Sequence, residues 1–261
     1  MAGWAHPHGD RRVLFDREAD RYDRSRPGYP AALIDAVLGP SPQGVAVLDV
    51  ACGTGIAARL LAARGARVLG VELNPRMAEV AERHGIPVEV GAFETWDPAG
   101  RSFDRVTCAQ AWHWLDHDAA AGRAADLLRP GGRLCLFWSI GLHPADLAAA
   151  LEDAYRRAGA GELTIGYGGD RATDPDAAIA VVAGGLRSTG RFAEPRVRWF
   201  PWTRSYTREL WLDQILSHSD HIALPPEQRQ RVLDEVGAAI DAHGGGFEME
   251  YRSVLVDAEP L

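Results

Sequence analysis

The chain has 261 residues, a net charge of -8 at neutral pH, 3 cysteines and no lysine. The acidic balance speaks against nucleic acid as the main partner. The missing lysine excludes a P-loop lysine and a Schiff-base lysine, and no apolar run approaches the ~18 residues of a membrane span. Cys52, Cys108 and Cys135 each lie in or beside an apolar strand pattern. They read as buried free thiols rather than disulfides or metal ligands. Together with the opening MAGWAHPHGDRR, which lacks a signal-peptide core, this predicts a cytoplasmic protein.

In chain order, residues 1–40 precede the sheet. Val45 to Val50 is an apolar run that reads as a buried parallel strand. The turn Ala51-Cys52-Gly53-Thr54-Gly55 follows, and then a helix opens. Val68 to Glu72 is a second strand, Asn74 to Arg83 a helix with Pro75 in its first turn, and Pro87 to Val90 a short third strand. Phe103 to Ala109 is the fourth. A helix spans His117 to Leu128 and stops at the breaker cluster Arg129-Pro130-Gly131-Gly132. Arg133 to Trp138 is the fifth strand and Pro144 to Ala158 the next helix. Gly159 to Gly190 is a loop-helix segment without clear periodicity. Pro195 to Phe200 alternates as strand six. Two helices, Ser205 to Ser217 and Pro225 to His243, come before a last strand, Phe247 to Val256.

This alternation predicts an α/β fold, a doubly wound, mostly parallel sheet with right-handed crossovers. The domain reading is a single unit. Residues 41–158 form a cofactor-binding core, 159–246 an insertion and helical cap around strand six, and 247–261 the last strand.

Strand, glycine turn, helix makes a nucleotide-type site at the carboxyl edge of such a sheet. Gly53-x-Gly55-x-x-Ala58 alone would also pass as a dinucleotide fingerprint. Asp49 separates the two readings. A carboxylate there is unfavourable beside a pyrophosphate. It suits the ammonium and sulfonium of S-adenosylmethionine (SAM). Glu72 closes the second strand, where an acid can accept hydrogen bonds from ribose hydroxyls. Two rivals from other classes stand beside this one, an NAD-dependent oxidoreductase and a non-catalytic SAM-binding or regulatory protein.

These residues resemble the class I SAM-dependent methyltransferases, over about Phe15 to Glu259. The resemblance implies seven strands with the last antiparallel. It implies that Asp49, Ala51, Gly53 and Gly55 surround the methionine moiety and that Glu72 takes the ribose. Leu73, Phe93 and Glu94 would bracket the adenine, with Ala92 standing where an acid is common. Phe15-Asp16-x-x-Ala19-x-x-Tyr22 with Arg26-Pro27-x-Tyr29-Pro30 is similar to the N-terminal lid of small-molecule enzymes of the trans-aconitate methyltransferase type. So is Gln110-Ala111-x-His113-Trp114, and so is Ser217-His218-Ser219 near the cap. Tyr22 and Arg26 would then close over the cofactor, with Gln110 and Ala111 beside it.

Methyl transfer from a sulfonium needs alignment and desolvation above all. A hydroxyl acceptor also wants a general base, and His113 is the candidate. A carboxylate acceptor needs only a cation, for which Arg204 and Arg171 are available. Trp112, Trp114, Trp138, Arg204, Tyr206 and His218 are the expected acceptor contacts. His113, Asp116 and His117 read as no metal site. His218 and His221 read as solvated residues at a helix end. The expectation is transfer of a methyl group from SAM to an oxygen of a small-molecule substrate, by a monomer or homodimer.

Overall fold

The computed structural model describes residues 18–163 and 174–261. The order of elements is α1 (Ala19–Ser25), α2 (Ala31–Leu38), β1 (Ala46–Val50), α3 (Ile56–Ala62), β2 (Arg67–Glu72), α4 (Pro75–Arg83), β3 (Val88–Val90) and β4 (Phe103–Ala109). A 3-10 turn at Trp112–Trp114 is followed by α5 (His117–Leu127), β5 (Leu128–Leu142), α6 (Ala145–Arg157) and α7 (Pro175–Ser188). Then come β6 (Arg196–Thr207), α8 (Arg208–Ile215), α9 (Ser219–Ile222), α10 (Pro226–Ala242) and β7 (Gly246–Ala258).

The seven strands form one sheet in the order β3-β2-β1-β4-β5-β7-β6. β1 to β5 pair in parallel, and β7 runs antiparallel to both β5 and β6. This is the expected seven-stranded, mostly parallel sheet with a reversed last strand. All five residues of β1 are buried, as a central strand covered on both faces requires. One face packs Leu48, Val106 and Leu136 against α5 and α7. The other packs Val47, Cys135 and Phe137 against α2 and α3. Cys52, Cys108 and Cys135 are free thiols.

Local chemistry fixes several ends. The Asn74 side chain caps α4 by accepting from the amides of Arg76 and Met77, with Pro75 following it. Asp116 caps α5 through the Ala119 amide. Asp174 and Pro175 start α7 inside the segment that lacked a clear period.

Three boundaries differ from the sequence reading. The Pro-Gly-Gly cluster does end α5, but the register with β4 jumps from Phe103↔Leu128 to Arg105↔Arg133, so the cluster is looped out within β5. β5 also continues to Leu142, because β7 pairs with it from Leu134 to Leu142. β6 likewise runs on to Thr207, opposite Gly246, and absorbs Ser205 to Thr207 from the expected helix. Burial differs from the sequence reading at α9. His221 there is buried rather than solvated. Its ring lies 2.7 Å from the Tyr155 hydroxyl and 2.8 Å from Asp220 Oδ1.

β6 is parallel to β1 through its two antiparallel pairings, so its end at Thr207 lies at the carboxyl edge. The helices α8 to α10 therefore begin at that edge. With α6 they enclose a second cluster containing Tyr155, Tyr206, Trp211, Phe247 and Tyr251.

Candidate active site

The loops at the carboxyl ends of β1, β2, β3 and β4 converge on one cavity. Ala51, Gly53 and Gly55 all have left-handed backbone, with φ of 51°, 58° and 79°. For Gly53 and Gly55 this is conformation that glycine adopts freely. Gly55 is also crowded, since a Cβ there would stand 3.1 Å from that of Ala81. The turn is tied to β2 by Glu72. Its two oxygens accept from the amides of Gly53 and Asn74, each at 2.8 Å. Each carboxylate oxygen has a second lone pair, so Glu72 keeps capacity for a ribose hydroxyl.

Asp49 lies one layer deeper. It is wholly buried and is not on the cavity wall. The Thr107 hydroxyl donates to its Oδ1 at 2.7 Å, while Oδ2 makes no hydrogen bond. Burial pushes the Asp49 carboxyl up to about 7. The Thr107 bond opposes this, and the nearby Glu72 charge adds to it. Burial also raises Glu72, against the pull of the Asn74 and Gly53 amides. Two buried acids with one unbonded oxygen favour a cationic ligand, and SAM carries the charge that such a site lacks.

The cavity wall contains Ala51 and Gly53 from the first turn, Glu72 and Leu73 from the second, Phe93 and Glu94 from the third, and Gln110, Ala111 and Trp114 from the fourth. Leu73 is 40% exposed, an apolar surface open to a ligand. Phe93 is buried in the sheet's core and also belongs to the cavity wall. Glu94 accepts weakly from the Asp116 amide at 3.3 Å. Gln110, like Ala51, is held at positive φ without being glycine. Such residues gather at functional sites.

Tyr22 and Arg26 line the cavity from α1 and its end. Arg26 stacks on Tyr22 at 4.7 Å and donates to Ser217 Oγ and the Ser217 carbonyl at 2.8 and 3.0 Å. Arg21 bonds Asp213 of α8 at 3.0 Å. On the opposite side Asp23 pairs with Arg59 of α3 at 2.7 Å and with His84 at 2.8 Å, and Asp20 pairs with Arg83. Seven residues of helix thus bridge the sheet's helices and the cap.

The expected acceptor contacts separate. Trp114 is on the wall. Trp112, two residues earlier on the same 3-10 turn, points into the core and is 2% exposed. Trp138 packs against that core too. Tyr206 is buried in the cap, hydroxyl to hydroxyl with Tyr251 at 2.6 Å. Arg204 stacks on Tyr206 and reaches the Ser25 carbonyl at 3.5 Å. His218 sits at the start of α9, its ring 5.6 Å from that of His221, and burial pushes it well below the usual histidine range. His113 stands beside Trp114, with ring centroids 5.1 Å apart, and is not part of the wall. Arg171, Phe15 and Asp16 lie outside the described residues.

The sequence reading passed over Cys52, Thr54, Asn74, Met77, Pro27 and Tyr29, all of which line the cavity. The Pro27-x-Tyr29-Pro30 pattern held a signal for the last two. Two prolines stiffen the segment and present Tyr29, whose ring meets Phe137 edge-on at 4.9 Å.

Residues 47–132 match a family model described as a methyltransferase domain. An uncharacterized methyltransferase of Mycobacterium tuberculosis is 30% identical over 257 residues, covering 95% of this chain and 96% of the relative. A ubiquinone biosynthesis O-methyltransferase of Xanthomonas axonopodis is 36% identical over 121 residues, 43% of this chain and 50% of the relative. A solved structure from Anaeromyxobacter dehalogenans, described as a candidate type II methyltransferase, superposes with a TM-score of 0.66 at 23% identity. It covers 90% of this chain and 97% of the other.

Proposed function

This chain belongs to the class I SAM-dependent methyltransferases, and we propose that it methylates an oxygen, hydroxyl or carboxylate, of a small-molecule acceptor. The observation that carries the reading is the cavity itself. Its wall combines the acids Glu72 and Glu94 and the turns at Ala51 and Gln110 with the aromatic residues Tyr22, Tyr29 and Trp114. When bound, SAM supplies a methyl group already activated on a sulfonium. The chain's own groups bind, orient and exclude water. Ala51, Gly53 and the Asp49 charge beneath them hold the methionine end, and Glu72 accepts from the ribose. Gly55, expected at this contact from sequence, is absent from the wall and packs toward Ala81 instead. Leu73 and the Phe93 and Glu94 backbone frame the base. Gln110 and Ala111 border the transfer point, and Tyr22 with Arg26 closes the cleft.

His113 is the general base in this proposal if the acceptor is a hydroxyl, and it must turn toward the cavity to act. Its absence from the wall favours an acceptor that arrives ionised, with Arg26 as a cation on the wall. The O-methyltransferase relative supports oxygen as the acceptor atom. Among the described residues no helix is long and apolar enough to cross a membrane. A monomer or homodimer in the cytoplasm, without nucleic acid, completes the proposal.

Turnover of SAM to S-adenosylhomocysteine over a panel of hydroxyl, carboxyl and amine metabolites tests it. Oxygen acceptors should turn over. With a hydroxyl acceptor His113→Ala should lose ~10²–10⁴-fold in rate, the usual worth of a general base. With a carboxylate acceptor the loss should stay under about fivefold, because that nucleophile is already ionised. Turnover confined to amines would reject the oxygen assignment.

A further inference from the structure

Asp49 and Thr107 are Cα partners across the β1–β4 ladder, and both are wholly buried. The Thr107 hydroxyl has one proton. It lies 2.7 Å from Asp49 Oδ1 and 3.4 Å from the Leu48 carbonyl oxygen, so the proton goes to the carboxylate. Donation to one oxygen fixes the rotation of the whole group and leaves Oδ2 without a hydrogen bond.

The other groups acting on Asp49 are few. Glu72 faces it from β2 with like charge, and the Ala58 amide of α3 gives slight relief. The thiols of Cys52 and Cys108 also face it, and burial pushes both well above the usual cysteine range, so they stay neutral. Among the described residues, none of the groups acting on Asp49 is a cation. Two buried acids in this position resist ionising together. A cationic cofactor removes that resistance.

We propose that Thr107 is a positioning residue of the cofactor site: its hydroxyl holds Asp49 as an oriented carboxylate beneath the glycine turn, and cofactor uptake releases the proton that burial beside Glu72 otherwise keeps on Asp49. The inference rests on the reading of Asp49 as the acid that attracts SAM. A threonine in the run Arg105-Val106-Thr107-Cys108 reads in sequence only as a β-branched strand residue. The sheet register turns it into a partner of the acid. Asp49 loses its proton as pH rises, and SAM prefers the ionised form. Affinity must therefore increase with pH up to the point where free Asp49 is already ionised.

Calorimetry of SAM binding between pH 6 and 8, in two buffers of different ionisation heat, reads both affinity and released protons. The wild-type protein should gain affinity across this range and release about half a proton per SAM near pH 7. Thr107→Val should shift the rise upward by about one pH unit, making binding about fivefold weaker at pH 7, and Thr107→Ser should restore the wild-type profile. Thr107→Ala gives the same comparison if the valine variant does not fold. Asp49→Asn should bind weakly with no proton release. A Thr107→Val protein with the wild-type pH profile, or wild-type binding without proton release, would overturn the proposal. In the first case weak binding by Asp49→Asn would leave the carboxylate's own role standing. Unchanged binding by Asp49→Asn would reject both.

Discussion

Around the glycine turn, Gly53 and Asn74 give their backbone amides to Glu72, whereas inside the cap side chains meet ring to ring. Trp211 stands edge-on to Tyr206 and Phe247 at 5.2 and 5.4 Å, and Trp202 stacks on Tyr251 at 4.6 Å. The floor of the cleft is thus shaped by backbone conformation and by two acids that are costly to bury. The cap is shaped by apolar area. Energy is stored differently in each: the floor forgoes stability to favour a ligand, and the cap supplies it. Substitutions in the two regions should therefore separate affinity from stability.

The largest expected effect lies in the cap. Trp211 is 1% exposed, and Trp211→Ala should cost about 3–5 kcal/mol of unfolding free energy. SAM affinity in the folded fraction should stay within about twofold. A similar loss of affinity and of stability would erase the distinction between the regions.

The next effect is pH-dependent. Burial pushes His143, edge-on to Trp211 at 4.8 Å, down to about 4. The unfolded chain then binds a proton that the folded one refuses. This stability is complete above pH 6.5 and falls as pH drops toward 4, by an amount on the order of 3 kcal/mol. Urea midpoints measured across that window should flatten in His143→Phe. An equal acid slope in the variant would assign the loss to other groups.

The smallest effect in energy is the most selective. Asp49→Ala should weaken SAM binding at least tenfold, about 1.4 kcal/mol, with the thermal midpoint held within a few degrees. A folded Asp49→Ala protein with unchanged affinity would remove Asp49 from the site. A midpoint falling as far as that of Trp211→Ala would make the acid a structural group.

The same contrast explains what the sequence disclosed. β1, its turn and α3 follow local rules, an apolar run, glycines and a helix, so their place in the fold could be read directly. Asp49 and Glu72 were recognisable because their spacing is fixed by one βαβ unit. Trp112 and Trp114 were indistinguishable in sequence, and a single 3-10 turn sends one to the core and the other to the cavity. Tyr206 and His221 were misplaced for a similar reason. Their burial depends on α6 and on β7, which are remote in the chain. The positive φ of Ala51 and Gln110 left no trace, since neither residue type prefers it.

The seven-residue bridge of α1 carries one more consequence. Its hold on both sides of the cleft consists largely of charge pairs, several with more than a quarter of the side chain in solvent. Such pairs weaken as the Debye length shrinks, from ~10 Å at 0.1 M salt to ~3 Å at 1 M, while the apolar sheet beneath does not. With α1 closing the cleft as proposed, added salt should hasten cofactor release well before it touches the fold.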